Sequence, residues 1–249
     1  MNIRPDFIET FEKQLCIDFN CSMTEFHSSK NIISIASTDK NRRRNFVHEP
    51  MLRIISYYEK ILVTCDNQLF PWAKERYENA FSGWIFRYPN PHQIDKELQK
   101  YGECIHDIHH YYLPLETYPQ ITPSFPVKWF EKDEMEQFRG EPYHEAVAFH
   151  PLNPDVLAVA AMDGDKIMGI AGASADTNDL WQIGITVNDA YRGHGIAVQL
   201  VTLLKDEIIR RGKVPFYGTV ESHNLSNSVA IKSGFFPVWS ELTSGPAVF

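Results

Sequence analysis

The stretch "LWQIGITVNDAYRGHGIAVQLVTLLKDEIIRRG", Leu180 to Gly212, constrains the fold more than any other part of this 249-residue chain. Its first eight residues, all but Gln182 apolar or β-branched, read as a strand. From about Ala197 to Arg211 the apolar positions Val201, Leu204 and Ile208 mark one face of a helix, and Gly212 stands past its end. "YRGHGIA", Tyr191 to Ala197, joins the two. Gly193 and Gly195 leave the backbone bare where the helix begins, and Arg192 adds a cation. A helix N-terminus carries unpaired N–H groups and the positive end of a dipole. The junction is therefore expected to cradle an anion of diphosphate size. The plainer reading is a tight turn that needs glycines. The flanking strand, helix and arginine favour the cradle.

The elements around this junction follow a definite order. "VKWFEKDEMEQFRG" reads as a helix closed by Gly140, and "EAVAFH" and "DVLAVAAMDGD" as strands. "MDGDK" supplies an Asp-Gly turn into the strand "KIMGIAGASAD". After the helix come the strand "VPFYGTVE", the short helix "LSNSVAIKS" and a last strand, "FFPVWSEL". The expected order is a run of antiparallel hairpins, then strand–helix–strand, then helix–strand.

"RGHGIA" resembles the Q/R-x-x-G-x-G/A motif of the GNAT superfamily of acyl-CoA N-acyltransferases. The resemblance extends through "IGITVNDAYRGHGIAVQLV" and "SHNLSNSVAIKSGFFPVWSEL", with the family's "GF" at Gly234-Phe235. It covers about residues 140–249. It implies a mixed, mainly antiparallel twisted sheet flanked by helices, in the α/β (α+β) class, with acetyl-CoA as co-substrate in a cleft between two splayed strands. Ile185, Thr186 and Val187 would offer backbone to the pantetheine arm and acyl carbonyl. Arg192, Gly193, His194, Gly195, Ile196 and Ala197 would hold the pyrophosphate through main-chain N–H groups, His194 standing at a variable motif position. The family's asparagine, eleven residues before the "GF" glycine, corresponds to His223, with Asn224 next to it. Both, with Ser226 of the same short helix, are taken as cofactor-binding. The tyrosine that many members place seven residues later is Ala230 here.

The reaction so implied is direct attack of a primary amine, on a small molecule or peptide, at the thioester. A base or water relay must take the amine proton, and a fixed N–H must stabilise the oxyanion. Asp176 and Glu221, at the ends of the strands before and after the motif strand, are the candidate bases. Tyr217 and Tyr191 are candidate acids, and none of the four can be told from an ordinary carboxylate or phenol by sequence. The alternative is a CoA-binding regulatory module without turnover, which the missing tyrosine favours. A general nucleotide binder fits less well, because no Walker lysine follows the glycines.

The first half says less. "LETYPQITPSFPVKW" holds Pro119, Pro123 and Pro126 and reads as an extended seam, so the expected domains are 1–118, a smaller α/β domain, and 119–249. A helix over residues 3–17, strands at "NIISIAST" and "KILVTCD", and helices at "LFPWAKERYENA" and "PHQIDKELQKYG" are expected. "CIHDIHHYY" (Cys104, His106, His109, His110) reads as a half-exposed strand rather than a metal site, and "NRRR", Asn41 to Arg44, as a solvated turn rather than a phosphate site. This domain would select the acceptor or mediate a homodimer. A net charge of −8 argues against nucleic acid, and mildly for a cationic amine. No run of 18 apolar residues, no signal-peptide pattern and four cysteines without CxxC spacing suggest a cytoplasmic protein with reduced thiols and no membrane span.

Overall fold

The computed structural model describes residues 2–44, 46, 48–118, 120–140 and 142–247; Pro119 of the proline-rich seam lies outside them. In chain order the elements are α1 (Pro5–Asp18), α2 (Met23–Phe26), β1 (Ile32–Ile35), β2 (Leu52–Tyr57), β3 (Lys60–Cys65), α3 (Phe70–Tyr77), α4 (Asn90–Leu98), β4 (Glu103–Pro114), β5 (Val127–Glu131), β6 (Asp155–Asp163), β7 (Lys166–Ala175), β8 (Leu180–Val187), α5 (Ile196–Arg210), β9 (Val214–Val220), α6 (Asn224–Lys232) and β10 (Phe235–Pro246). None of the described helices is long and apolar enough to cross a membrane. The chain forms two compact units, each built from two segments: 1–10 with 112–237, and 11–111 with 238–249. The single cut expected at 118/119 differs from this interleaving.

In the first unit the strands run in the order β9-β8-β7-β6-β5. β5–β6, β6–β7 and β7–β8 pair antiparallel, and β8–β9 pair parallel. The parallel pair follows from α5, since a strand can return beside its neighbour in the same direction only through a crossover. Leu200, Val201, Leu204 and Ile208 of α5 bury against Leu157, Val159, Ala171, Ala173 and Ile183 on one face of the sheet. The other face packs Ala158, Ala160 and Ile170 against Phe130, Met135, Phe138, Ala146 and Val147.

Two expectations fail here. "VKWFEKDEMEQFRG" begins as the edge strand β5 and continues as a 3-10 helix, Lys132–Phe138. Its opening Val-Lys-Trp-Phe is rich in β-branched and aromatic residues and pairs with β6 instead of starting a helix. "EAVAFH" is not a strand. Its backbone lies on the sheet over two glycines, where a Cβ on Gly172 would meet the Ala146 carbonyl oxygen at 2.0 Å and one on Gly184 the Glu145 carbonyl oxygen at 2.1 Å. These glycines face each other across β7 and β8.

The second unit has the strand order β1-β3-β2-β10-β4. Its core gathers Leu52, Ile54, Ile61, Val63, Ala73, Ile94, Leu98 and Leu242. β2 was not expected from the sequence. Cys104, His106 and His110 share one side of β4 and strand alternation sets His109 on the other. "NRRR" is not a solvated turn: Arg43 is 1% exposed, its Nε 2.8 Å from Asp18 and its Nη2 3.0 Å from Glu241. Arg53 completes the group, 2.6 Å from Glu241.

Candidate acyl-transfer site

The Asn188 N–H donates to the Met168 carbonyl at 2.9 Å, which sets the phase of the β7–β8 ladder. Bonding alternates along an antiparallel pair, so the even-numbered β8 residues bond to β7 and Ile183, Ile185 and Val187 present N–H and C=O to the β9 side. Pairing with β9 runs from Leu180–Val214 to Ile183–Tyr217 and ends there, although both strands continue. The strands therefore part at Tyr217, and the backbone of Ile185 and Val187 faces the opening. Thr186 differs from the expectation for it. Its backbone turns to β7, while its Oγ1 is buried with no hydrogen-bond partner. The Val187 carbonyl accepts a long bond, 3.4 Å, from Arg192 Nε.

The chain then makes a 3-10 turn over Asp189–Tyr191, capped by Asn188 Oδ1, which accepts from the Ala190 N–H at 3.2 Å. Gly193 and Gly195 both lie in the left-handed region, at φ 83° and 73°, so the turn itself requires glycine at each. The space beside them is open: a Cβ on Gly193 would meet nothing within 4 Å, and one on Gly195 only Gln199 Nε2 at 3.8 Å. α5 starts at Ile196 with no side-chain cap, leaving its first N–H groups for a ligand or water. Ile196 buries its side chain in the core, so only its main chain is on offer, and Ala197 follows half-buried. Arg192 is exposed and held by Asp189 at 2.8 Å, and His194 turns its Nδ1 back to within 3.2 Å of the Tyr191 carbonyl. Gln199 was not foreseen. Its Oε1 accepts from the Ser124 N–H at 2.8 Å, fastening the segment before β5 to the first turn of α5.

Residues 118–235 match the family model described as Acetyltransferase (GNAT) family. This segment is a GNAT-family acetyltransferase domain. Among solved structures similar to the chain are a GNAT-family acetyltransferase from Colwellia psychrerythraea (10% identity, 58% of this chain and 57% of that one, TM-score 0.44) and a GCN5-related N-acetyltransferase-like protein from Streptococcus suis (16%, 65% and 69%, TM-score 0.47). A third is a protein from Salmonella typhimurium solved with its cofactor acetyl-CoA (13%, 50% and 94%, TM-score 0.37). The chain thus spans little more than half of the Colwellia protein. No curated protein matches it.

Where the strands of the GNAT domain part, Tyr217 lies buried with its hydroxyl 2.9 Å from Ser226 Oγ. Burial raises its pKa, the bond to Ser226 opposes this, and Tyr112 and Glu145 push further upward. The phenol is therefore protonated at neutral pH. Tyr112 stands edge-on to it at 6.5 Å between ring centroids and donates to Asn227 Oδ1. Asn227 Nδ2 donates in turn to the Glu221 carbonyl at 3.2 Å, tying α6 to the end of β9. Tyr112 and Asn227 are thus parts of the site that sequence did not show, because only the fold brings β4 and α6 to Tyr217.

The other expected residues are dispersed around this point. Ser226 is engaged by Tyr217 rather than free for a ligand. His223 and Asn224 are exposed where α6 begins, with no cap from the His223 side chain. Ala230 is buried in the α5 core, so α6 carries no phenol there. Glu221 is exposed just past β9, at the end where the strands part. Asp176 follows β7 beside Leu180, at the opposite end of β8, and accepts from Ser174 Oγ at 2.8 Å. About five residues of strand, roughly 15 Å, separate that end from Ile185. The Tyr191 hydroxyl donates to Asp163 at 2.9 Å, which raises its pKa.

Proposed function

We propose that the chain transfers an acetyl or related acyl group from acetyl-CoA to a primary amine of a small molecule or peptide, by direct attack on the thioester. The observation that carries this reading is the end of β8–β9 pairing at Ile183–Tyr217, followed where α5 begins at Ile196 by an uncapped helix N-terminus. The N–H of Ile185 or Val187 would polarise the thioester carbonyl. The N–H groups of Gly193 to Ala197 would hold the pyrophosphate, with Arg192 beside them. Tyr217 would donate a proton to the departing thiolate, since its environment keeps the phenol protonated. Glu221, at the open end, would receive the amine proton directly or through water; Asp176 is too far along the strand to share that role. The likeness to a protein solved with acetyl-CoA supports the choice of co-substrate at the level of family only.

Calorimetric titration with acetyl-CoA, ATP and NAD, followed by thiol release with a panel of amines, tests the reading. Acetyl-CoA alone should bind, and at least one amine should release CoA. In the active protein Tyr217→Phe and Glu221→Gln should each lower kcat by roughly 10²–10⁴-fold with acetyl-CoA affinity held. The Glu221→Gln loss should shrink at high pH, where free amine is abundant. The absence of a phenol at Ala230 favours a second reading, a CoA-binding module without turnover. Binding with no release from any amine would select it.

A further inference from the structure

Helix α1 ends in a Schellman motif. The Cys21 N–H donates to the Cys16 carbonyl at 3.0 Å, the Asn20 N–H to the Ile17 carbonyl at 3.4 Å, and Asn20 takes the left-handed conformation at φ 47°. This arrangement brings together the side chains six positions apart inclusively, ordinarily an apolar pair. Here both are cysteines, so the turn itself sets the two thiols side by side. A third sulfur joins them. Ser22 caps α2 through a reciprocal bond with Glu25, which fixes Met23 as the first residue of that helix, and Cys16 Sγ donates to Met23 Sδ at 3.3 Å. Three sulfurs from eight consecutive residues thus meet at the end of one helix. Cys16 is buried, while Cys21 and Met23 are half-buried, so the group opens on one side.

We propose that Cys16, Cys21 and Met23 form a binding site for one soft monovalent cation, Cu(I). Two thiols and a thioether are the donor set that selects such an ion, and they supply none of the hard oxygen donors that Mg²⁺ or Ca²⁺ needs. The neighbouring carboxylates are already engaged, Glu12 by Tyr57 at 2.8 Å and Glu25 by the Ser22 N–H at 2.8 Å. On binding, each cysteine gives its proton to solvent, two Cu–S(thiolate) bonds and one Cu–S(thioether) bond form, and no electron is transferred. The product carries one net negative charge. The Lys60 ammonium, bonded to the Ser28 carbonyl at 2.5 Å, acts electrostatically on both thiols and offsets it. Three sulfurs around one ion at about 2.3 Å stand about 4 Å apart. The 3.3 Å between Cys16 Sγ and Met23 Sδ must open by about 0.7 Å, which the unbranched Met23 side chain allows.

The test is anaerobic titration of the reduced full chain with Cu(I) supplied as its bicinchoninate complex, whose colour fades as the protein takes the metal. One equivalent should transfer. Cys16→Ser and Cys21→Ser should each abolish transfer, Met23→Leu should weaken it at least about tenfold, and Cys65→Ser with Cys104→Ser should leave it intact. Thermal unfolding of each variant separates loss of the site from loss of the fold, and Cys21→Ser, at a half-exposed position, guards against a misfolded Cys16 variant. X-ray absorption of the loaded protein should count three sulfur neighbours. No transfer, or transfer that survives Cys21→Ser in a folded protein, overturns the proposal, as does a spectrum dominated by oxygen or nitrogen neighbours.

Discussion

Gly195 carries two requirements that different substitutions can separate. Its φ of 73° means that an alanine there would cost about 1–2 kcal/mol of backbone strain. The open space beside it means that the same alanine would clash with no part of the protein. Asparagine tolerates the left-handed region, so Gly195→Asn should leave stability nearly unchanged while placing an amide in the expected path of a phosphate. An acetyl-CoA affinity lower by at least about tenfold, roughly 1.4 kcal/mol, is expected by calorimetry. Unchanged affinity would mean that the glycines serve only the turn. The motif was legible because the strand before the glycines, the helix after them and the flanking arginine favour a cradle over a plain turn. Thr186 was not divided from its neighbours because the phase of a ladder depends on a bond, Asn188 to Met168, that no residue type announces.

At the scale of elements, the facing glycines of β7 and β8 decide what can lie on the sheet. Backbone from 145–146 rests on Gly172 and Gly184 so closely that a methyl group on either would overlap a carbonyl oxygen. Gly184→Ala should therefore cost about 1–3 kcal/mol and push Glu145 away from Tyr217, one rung from where the strands part. Denaturant unfolding gives the first quantity. Lowering of the Tyr217 pKa, read by ultraviolet titration, gives the second, because Glu145 is one of the groups holding it up. The hairpins and α5 were readable, since their periodicities match their environments, whereas the splayed pair was implied only by the resemblance to the GNAT superfamily. "EAVAFH" misled because a buried apolar run has the composition of a strand whether or not it pairs. β5 misled in the other direction, as its acidic continuation resembled a helix.

Across the whole chain, one buried charge group binds residues far apart in sequence. Burial works against the Glu241 carboxylate, but Arg43 and Arg53 outweigh it and hold its pKa down to about 2. An unfolded glutamate titrates near about 4.3. The folded value is the lower one, so the stabilisation is full above about pH 4.3 and is lost as pH falls toward 2. Glu241→Gln should cost about 3–5 kcal/mol at neutral pH, since it leaves buried guanidinium charge uncompensated. It should also remove this part of the acid slope, which denaturant unfolding between pH 2 and 6 would show. No pattern in "NRRR" signals this burial, because its partner Glu241 lies 198 residues from Arg43.

That separation has a consequence in time. A ribosome adds about 5–20 residues per second, so Arg43 is made roughly 10–40 s before Glu241. During that interval Arg43 and Arg53 have Asp18 but not Glu241, and the strand that supplies Leu242 to the core does not yet exist. Residues 11–111 must therefore wait, as part of a growing chain, for residues 238–249 before their unit is whole.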